Sequence, residues 1–425
     1  MDSQAKDLVR QAGAAYRAGQ FEAAADLYRQ AHALEPGSPL ILEQQGTLAL
    51  LDNQTDEAIA DLEEAIRRSS WPANLWPLNA QRKTRLAMAY YRQDRFAEAS
   101  RLFRQASGPI PVGPFRELRT LAEHTALFAD RKPYRIDGPS ESRIPFVVTD
   151  PLPVVPVSVN GAAPGYFILD TGGAEVILDD GLAREVGAVM AGAFSASYAG
   201  GRQAQTGVGR VESITLGDFT VTDLPIHTLD LDSVSSMYDG VEIRGVIGTR
   251  LLMHFLATID YPKGELLLRR PSVENHQALD RRLAESGGVQ VPFWLADLHY
   301  MLAQGQVNDA EPALFFVDTG LAGNAFTASE KTLEEHGIEI DWTTAELGPG
   351  GGGMVKSAGF VVDRLALGSG SQQVVETGLP GVAIEGSVPV LGDTLGFTVG
   401  GLISHAFFRN HALTLDFESM RLVIE

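Results

Sequence analysis

The sequence predicts a multidomain chain: an all-α helical repeat followed by a mostly β, bilobal region built from two tandem lobes. Three observations predict it. Residues 1 to about 130 alternate apolar and polar residues with helical period, whereas from Ile144 onward the period becomes that of strands. The strand-rich part is also one unit written twice, and such repetition decides architecture before any local reading does.

The helical part repeats within itself. Gly19, Phe21, Ala24, Tyr28, Ala31 and Pro36 mark one helix pair; Gly46, Ala58, Leu62 and Ala65 a second; Ala87, Tyr90, Phe96, Ala99, Phe103 and Ala106 a third. Ala24 to Ala58 is 34 residues and Ala58 to Ala99 is 41, the excess falling in the Trp- and Pro-containing loop from Ser69 to Asn79. Small residues at these positions let paired helices approach, and aromatic ones fill the gap between them. The segment resembles the tetratricopeptide repeat, with three repeats and a closing helix near Phe115 to Phe128. That resemblance implies either a face for a protein partner or a structural role against the next domain.

Residues 131–143, with Pro133, Gly138 and Pro139, read as a linker. The first lobe is expected over 144–270, an inter-lobe connection with a short helical stretch over 271–288, and the second lobe over 289–425. Strand candidates in the first lobe are 154–159, 166–169, 208–216, 219–224, 241–247 and 266–268, with a helix near 180–186.

Tyr166-Phe-Ile-Leu-Asp-Thr-Gly172 returns as Leu314-Phe-Phe-Val-Asp-Thr-Gly320. Each copy is a short apolar run that delivers an acid to a glycine turn, the pattern of a buried strand ending at Asp170 or Asp318. Ile144-Pro145-Phe146 matches Val291-Pro292-Phe293 at an offset of 147, and the acids match at 148. Downstream, Gly245-Val-Ile-Gly248 and Ala257-Thr-Ile-Asp-Tyr261 match Gly401-Leu-Ile-Ser404 and Leu413-Thr-Leu-Asp-Phe417 at 156.

Equivalent acids in duplicated lobes can meet at a pseudo-twofold axis. Two carboxylates about 3 Å apart share one proton and titrate as a unit. The ionised partner takes a proton from water while the protonated one donates to a carbonyl oxygen, and amide hydrolysis needs both acts. Thr171 and Thr319 would place hydroxyls beside the acids to bond backbone across the lobe interface; Gly172 and Gly320 permit close approach and offer N–H groups.

On these motifs, and on Val246-Ile247-Gly248, residues 144 to 425 resemble the retropepsin-like aspartic peptidases in their single-chain, two-lobed form. The resemblance implies catalytic Asp170 and Asp318, no metal and no cofactor, and endopeptidase action on a peptide or protein held between the lobes. One chain would suffice for the site. Ser404 departs from the pattern by standing where the second lobe should have Gly, and Leu321 is bulkier than the residue that usually follows the triplet. The family closes its cleft with a glycine-tipped flap. Candidates are the turn at Tyr198, Gly200 and Gly201 in the first lobe and that at Gly351, Gly352 and Met354 in the second, with Tyr198 the better substrate contact. Two other functions fit the same residues: small-molecule acid/base chemistry such as cyclisation or dehydration, or a catalytically silent peptide-binding module.

A net charge of −20 disfavours nucleic acid and anionic membranes as partners. No apolar stretch is long enough to span a bilayer; 245–259 comes nearest and Arg250 and His254 interrupt it. His254 and His405 read as structural, having no clustered partners for a metal. Gly348, Gly350 and Gly353 satisfy Gly-x-Gly-x-x-Gly, but a strand rather than a helix follows, against a dinucleotide site. Absence of cysteine leaves the compartment open: cytoplasmic for the chain as given, periplasmic or exported if a signal peptide has been removed.

Overall fold

The computed structural model describes residues 2–69, 79–198, 202–350, 353–386, 392 and 395–425. Its front is helical: α1 (Ser3–Arg17), α2 (Phe21–Leu34), α3 (Pro39–Leu51), α4 (Thr55–Arg68), α5 (Ala80–Arg92), α6 (Phe96–Ser107) and α7 (Phe115–Ala126). Ala24, Ala31, Ala58, Ala65, Ala87, Ala99 and Ala106 are wholly buried between paired helices. A Cβ on Gly46 would lie 2.8 Å from the Leu62 side chain, so α3 and α4 touch backbone to side chain there. The turn inside each pair uses a left-handed residue at an equivalent place, Gly19, Asn53 and Asp94, and these repeat at the same 34- and 41-residue spacings as the alanines.

In the first lobe the strand Gly165–Leu169 runs parallel to Ile243–Ile247, and Val176–Asp179 lies antiparallel to the latter. In the second, Ala313–Val317 runs parallel to Gly401–Ile403, against which Phe326–Thr327 is antiparallel. Each lobe therefore threads its Asp-Thr-Gly turn between neighbouring strands in the same way. A sheet joins the lobes, in the order Glu141–Pro145, Glu265–Arg269, Leu256–Asp260, Ala412–Asp416, Arg421–Ile424, Val289–Ala296. At its centre Thr258 pairs with Thr414, their hydroxyl oxygens 2.6 Å apart and buried. These two are repeat equivalents at an offset of 156, so the pseudo-twofold axis passes between them.

The segment 131–143 is not a free linker. Arg135–Asp137 pairs with Phe219–Leu229, and Glu141 to Arg143 belong to the joining sheet, with Ser142 and Ile144 turned inward. Pro133, Gly138 and Pro139 punctuate two short edge strands that are too brief to show a period of two. The 271–288 connection carries the helix Val273–Ser286, capped by the Ser272 hydroxyl at 3.2 Å from Asn275 N and ended at Gly287 in the left-handed region.

The helices sit directly on the lobes. Phe21, Tyr28, Leu48 and Leu51 form one apolar cluster with Ala296, Leu302, Leu314 and Phe316 of the second lobe. Arg92, buried, donates to the Leu295 carbonyl at 2.7 Å and the Asp297 carbonyl at 2.9 Å, while His124 Nε2 lies 2.8 Å from the Gly209 carbonyl. Helix α3 is buried on nearly every side, one face against α4 and the other toward Val289–Ala296. No described helix is long and apolar enough to cross a membrane.

Candidate active site

Each acid leaves its strand with its own N–H bound to the strand beneath: Asp170 to the Ile247 carbonyl at 3.1 Å, Asp318 to the Ile403 carbonyl at 3.0 Å. The next residues lock the lobes together. Thr171 Oγ1 donates to the Val317 carbonyl at 3.1 Å and Thr319 Oγ1 to the Leu169 carbonyl at 3.2 Å. Each hydroxyl also accepts the other threonine's N–H, at 3.1 and 3.0 Å. Both threonines are fully buried, so the four bonds form in a dry interface. Thr319→Val keeps the shape but leaves the Thr171 N–H and Leu169 carbonyl without partners. It is expected to cost about 2–5 kcal/mol, read as a lower denaturant midpoint, and to lower activity with it.

This grip brings Asp170 and Asp318 face to face, within hydrogen-bonding reach of each other. A Cβ on Gly172 would collide with the Asp318 carboxylate, and one on Gly320 with the Asp170 carboxylate, so each glycine cedes its side-chain space to the opposite acid. Gly172 N–H donates to Asp170 Oδ1 at 2.7 Å and Gly320 N–H to Asp318 Oδ1 at 2.8 Å. Burial raises both carboxyl groups above the ordinary aspartate value. For Asp170 the hydrogen bond from Asp318 and the Gly172 and Gly173 N–H groups oppose that rise; for Asp318 the charge of Asp170 adds to it, so Asp318 stands well above. Two carboxyl groups this close and this buried cannot both ionise cheaply, so they share a proton and titrate as a pair.

Below the turns, the two lobes differ. Gly248 is hemmed in by the carbonyls of Gly173, Ala174 and Glu175, where a Cβ would not fit. At Ser404 the side chain has room, and its hydroxyl accepts the Leu321 N–H at 3.0 Å. Ser404 thus adds a side-chain hydrogen bond to the second turn, made to the backbone of residue 321.

Tyr198 sits at the tip of the hairpin formed by Val189–Ser197 and Gln203–Leu216, with its hydroxyl 2.7 Å from Thr206 Oγ1. Its ring packs with an apolar cluster that includes Ile168, Ile177 and Val246 and reaches Ala322 beside the second acid. Gly200, Gly201, Gly351 and Gly352 lie outside the described residues. Met354 follows the second turn and is half exposed, on the hairpin of Glu346–Gly350 and Gly353–Ser369.

Three more side chains stand near the acids and carry no sequence signal. Burial and then the charge of Asp170 raise the Tyr238 phenol; burial, Asp297 and then Asp318 raise that of Tyr300. His299 reaches the Gly172 backbone and is held neutral by burial, its imidazole lowered to about 3. The 148-residue offset gives Tyr300 a leucine, Leu152, as its counterpart, so the repeat does not reveal it. His254 stacks on Tyr134 with ring centres 4.0 Å apart, and His405 is buried against Tyr261 and Asp150.

Residues 155–251 match the model of a family described as aspartyl protease. The match holds Asp170 and the Val246-Ile247-Gly248 element of the first lobe. Similar solved structures include a retropepsin-like aspartic protease from Rickettsia conorii, 19% identical, covering 32% of this chain and 94% of that one, with a TM-score of 0.21. The N-terminal domain of stress-induced protein-1 from C. elegans is 17% identical over 28% of this chain and 98% of its own, with a TM-score of 0.25. Basic 7S globulin from soybean is 8% identical over 69% and 95%, with a TM-score of 0.36. A search of curated proteins finds no match. The chain thus combines tetratricopeptide-like helices with a bilobal fold of the aspartic-protease type.

Proposed function

We propose that this chain is an aspartic endopeptidase whose catalytic pair is Asp170 and Asp318. The observation that supports it best is the reciprocal fit at the turns, where each glycine yields space to the opposite lobe's carboxylate. A water held between the carboxylates loses a proton to Asp170 while its oxygen attacks the peptide carbonyl carbon. Asp318 gives its proton to the carbonyl oxygen, forming a tetrahedral diol. Asp170 then gives its proton to the amide nitrogen while Asp318 takes one from a diol hydroxyl; the C–N bond breaks, an amine and a carboxylic acid leave, and one proton is back on the pair. No other group needs to gain or lose electrons.

An extended peptide would lie between the lobes, under the Tyr198 hairpin. Incubation of the full chain with denatured protein between about pH 3 and 7 is the direct test. Cleavage that disappears with Asp170→Asn and with a statine-type inhibitor supports the reading; cleavage surviving Asp170→Asn refutes it. Because both acids come from one chain, activity per mole should not fall on dilution, as a dissociating dimer's would.

A further inference from the structure

The turn that carries Asp170 is tied to the helical repeats by a buried polar cluster. Glu175, five residues beyond Asp170, has no exposed surface; Tyr91 of α5 donates its hydroxyl to Glu175 Oε1 at 2.7 Å, and the Tyr134 hydroxyl donates to Oε2. Arg250, two residues beyond Gly248, is equally buried. Its backbone N–H holds the Ala174 carbonyl at 2.9 Å, and its guanidinium leaves the lobe to reach Asp94 Oδ1 at 2.7 Å and the Tyr91 carbonyl at 3.2 Å. Arg250 Nε lies 3.9 Å from Glu175 Oε1, and its Cζ is 5.5 Å from the ring centres of Tyr91 and Tyr134.

The duplicated lobe provides an internal control. At the repeat offsets, Gly323 stands for Glu175 and Ala406 for Arg250. There the turn is closed by Ser404 N–H to the Ala325 carbonyl at 2.8 Å, Ala406 N–H to the Asn324 carbonyl at 3.1 Å and the neutral Ser404 hydroxyl on the Leu321 N–H at 3.0 Å. Closing the turn therefore does not require the buried acid and base. They occur in the lobe whose turn meets α5. Buried charges are poor sources of net stability, but they fix geometry because every partner must stay in place. The path to the acid is short: the Gly173 carbonyl accepts the Thr249 N–H at 2.9 Å, Gly173 N–H bonds the Asp170 carbonyl at 3.2 Å, and Thr249 Oγ1 bonds the Thr171 carbonyl at 2.8 Å.

We infer that Tyr91, acting through Glu175 and Arg250, is a positioning residue for Asp170, so the third helical repeat is part of the catalytic unit. The inference rests on the peptidase reading for its kinetic readout. Tyr91→Phe in the full chain keeps the ring against Phe96, 4.5 Å between centres, and removes only the hydroxyl. Misplacing a catalytic group slightly is expected to lower kcat on the order of 10- to 100-fold, with KM held within about twofold. Amides of residues 171–176 should also exchange hydrogen faster. Tyr134→Phe, the second variant, should act the same way. Tyr90→Phe is the control: its hydroxyl binds Glu63 Oε1 at 2.5 Å within the repeats, and its loss should change neither readout. Wild-type kcat and exchange in Tyr91→Phe and Tyr134→Phe would overturn the inference, as would equal effects from Tyr90→Phe. If the wild type cleaves nothing, the peptidase reading falls, and faster exchange at 171–176 in Tyr91→Phe but not Tyr90→Phe still decides whether the brace exists.

Discussion

Asp318→Asn is expected to give a folded chain that has lost cleavage and is more stable than the wild type at neutral pH. Loss of the proton donor should lower kcat by about 10²- to 10⁴-fold. The stability gain follows from burial and from the charge of Asp170, which together raise the Asp318 carboxyl above its value in the unfolded chain. A raised group contributes stability that is fully present below its unfolded pKa and is lost as the pH climbs through its folded one. As the pH rises toward neutral the wild type loses that contribution progressively, whereas asparagine carries no charge to desolvate. Melting temperatures of the two proteins should therefore differ most at neutral pH, with the variant higher, and converge as the pH falls toward the ordinary aspartate range. A variant less stable than the wild type at pH 7 would mean that the Asp318 charge is compensated, contrary to its surroundings.

Removing the helices is expected to have an effect as large on a different link of the chain. A protein beginning at Lys132 would expose Ala296, Leu302, Leu314 and Phe316, which now face Phe21, Tyr28, Leu48 and Leu51. It would also strip Glu175 and Arg250 of Tyr91 and Asp94. Uncovering several large apolar side chains removes on the order of 10 kcal/mol, comparable to the whole stability of a domain. Aggregation on expression is the predicted outcome, and solubility with a thermal melt is the measurement. A soluble, monomeric, active two-lobed fragment would show that the helices are an accessory.

Why the two Asp-Thr-Gly turns were readable in the sequence is clear from the repeat. An acid placed after four apolar residues, twice and at a constant offset, survives without any tertiary information. The threonine bonds follow from the same duplication, since identical residues near a twofold axis can only reach each other. Residues outside the duplication were opaque. Tyr91, Tyr134 and Asp94 come from elements that neither lobe repeats; the two tyrosines meet Glu175, across 84 residues for Tyr91, and Asp94 meets Arg250. Two signals did exist. Arg250 interrupts an otherwise apolar run, which reads in sequence only as too polar for a bilayer, yet a charge inside a buried run needs a partner from elsewhere. Helix α3 carries apolar residues on more than one face, among them Ile41, Leu42, Leu48, Leu50 and Leu51, the mark of a helix covered on both sides, so docking on the lobes was written there. The short edge strands within 131–143 had no such mark.

Calorimetric titration of a statine-type inhibitor into the intact chain tests the shared-proton pair most directly. The account predicts one inhibitor per chain, binding that weakens as the pH rises and the pair loses its proton, and no binding to Asp170→Asn or Asp318→Asn. Binding that persists in either variant, or a stoichiometry of one inhibitor per two chains, would contradict it.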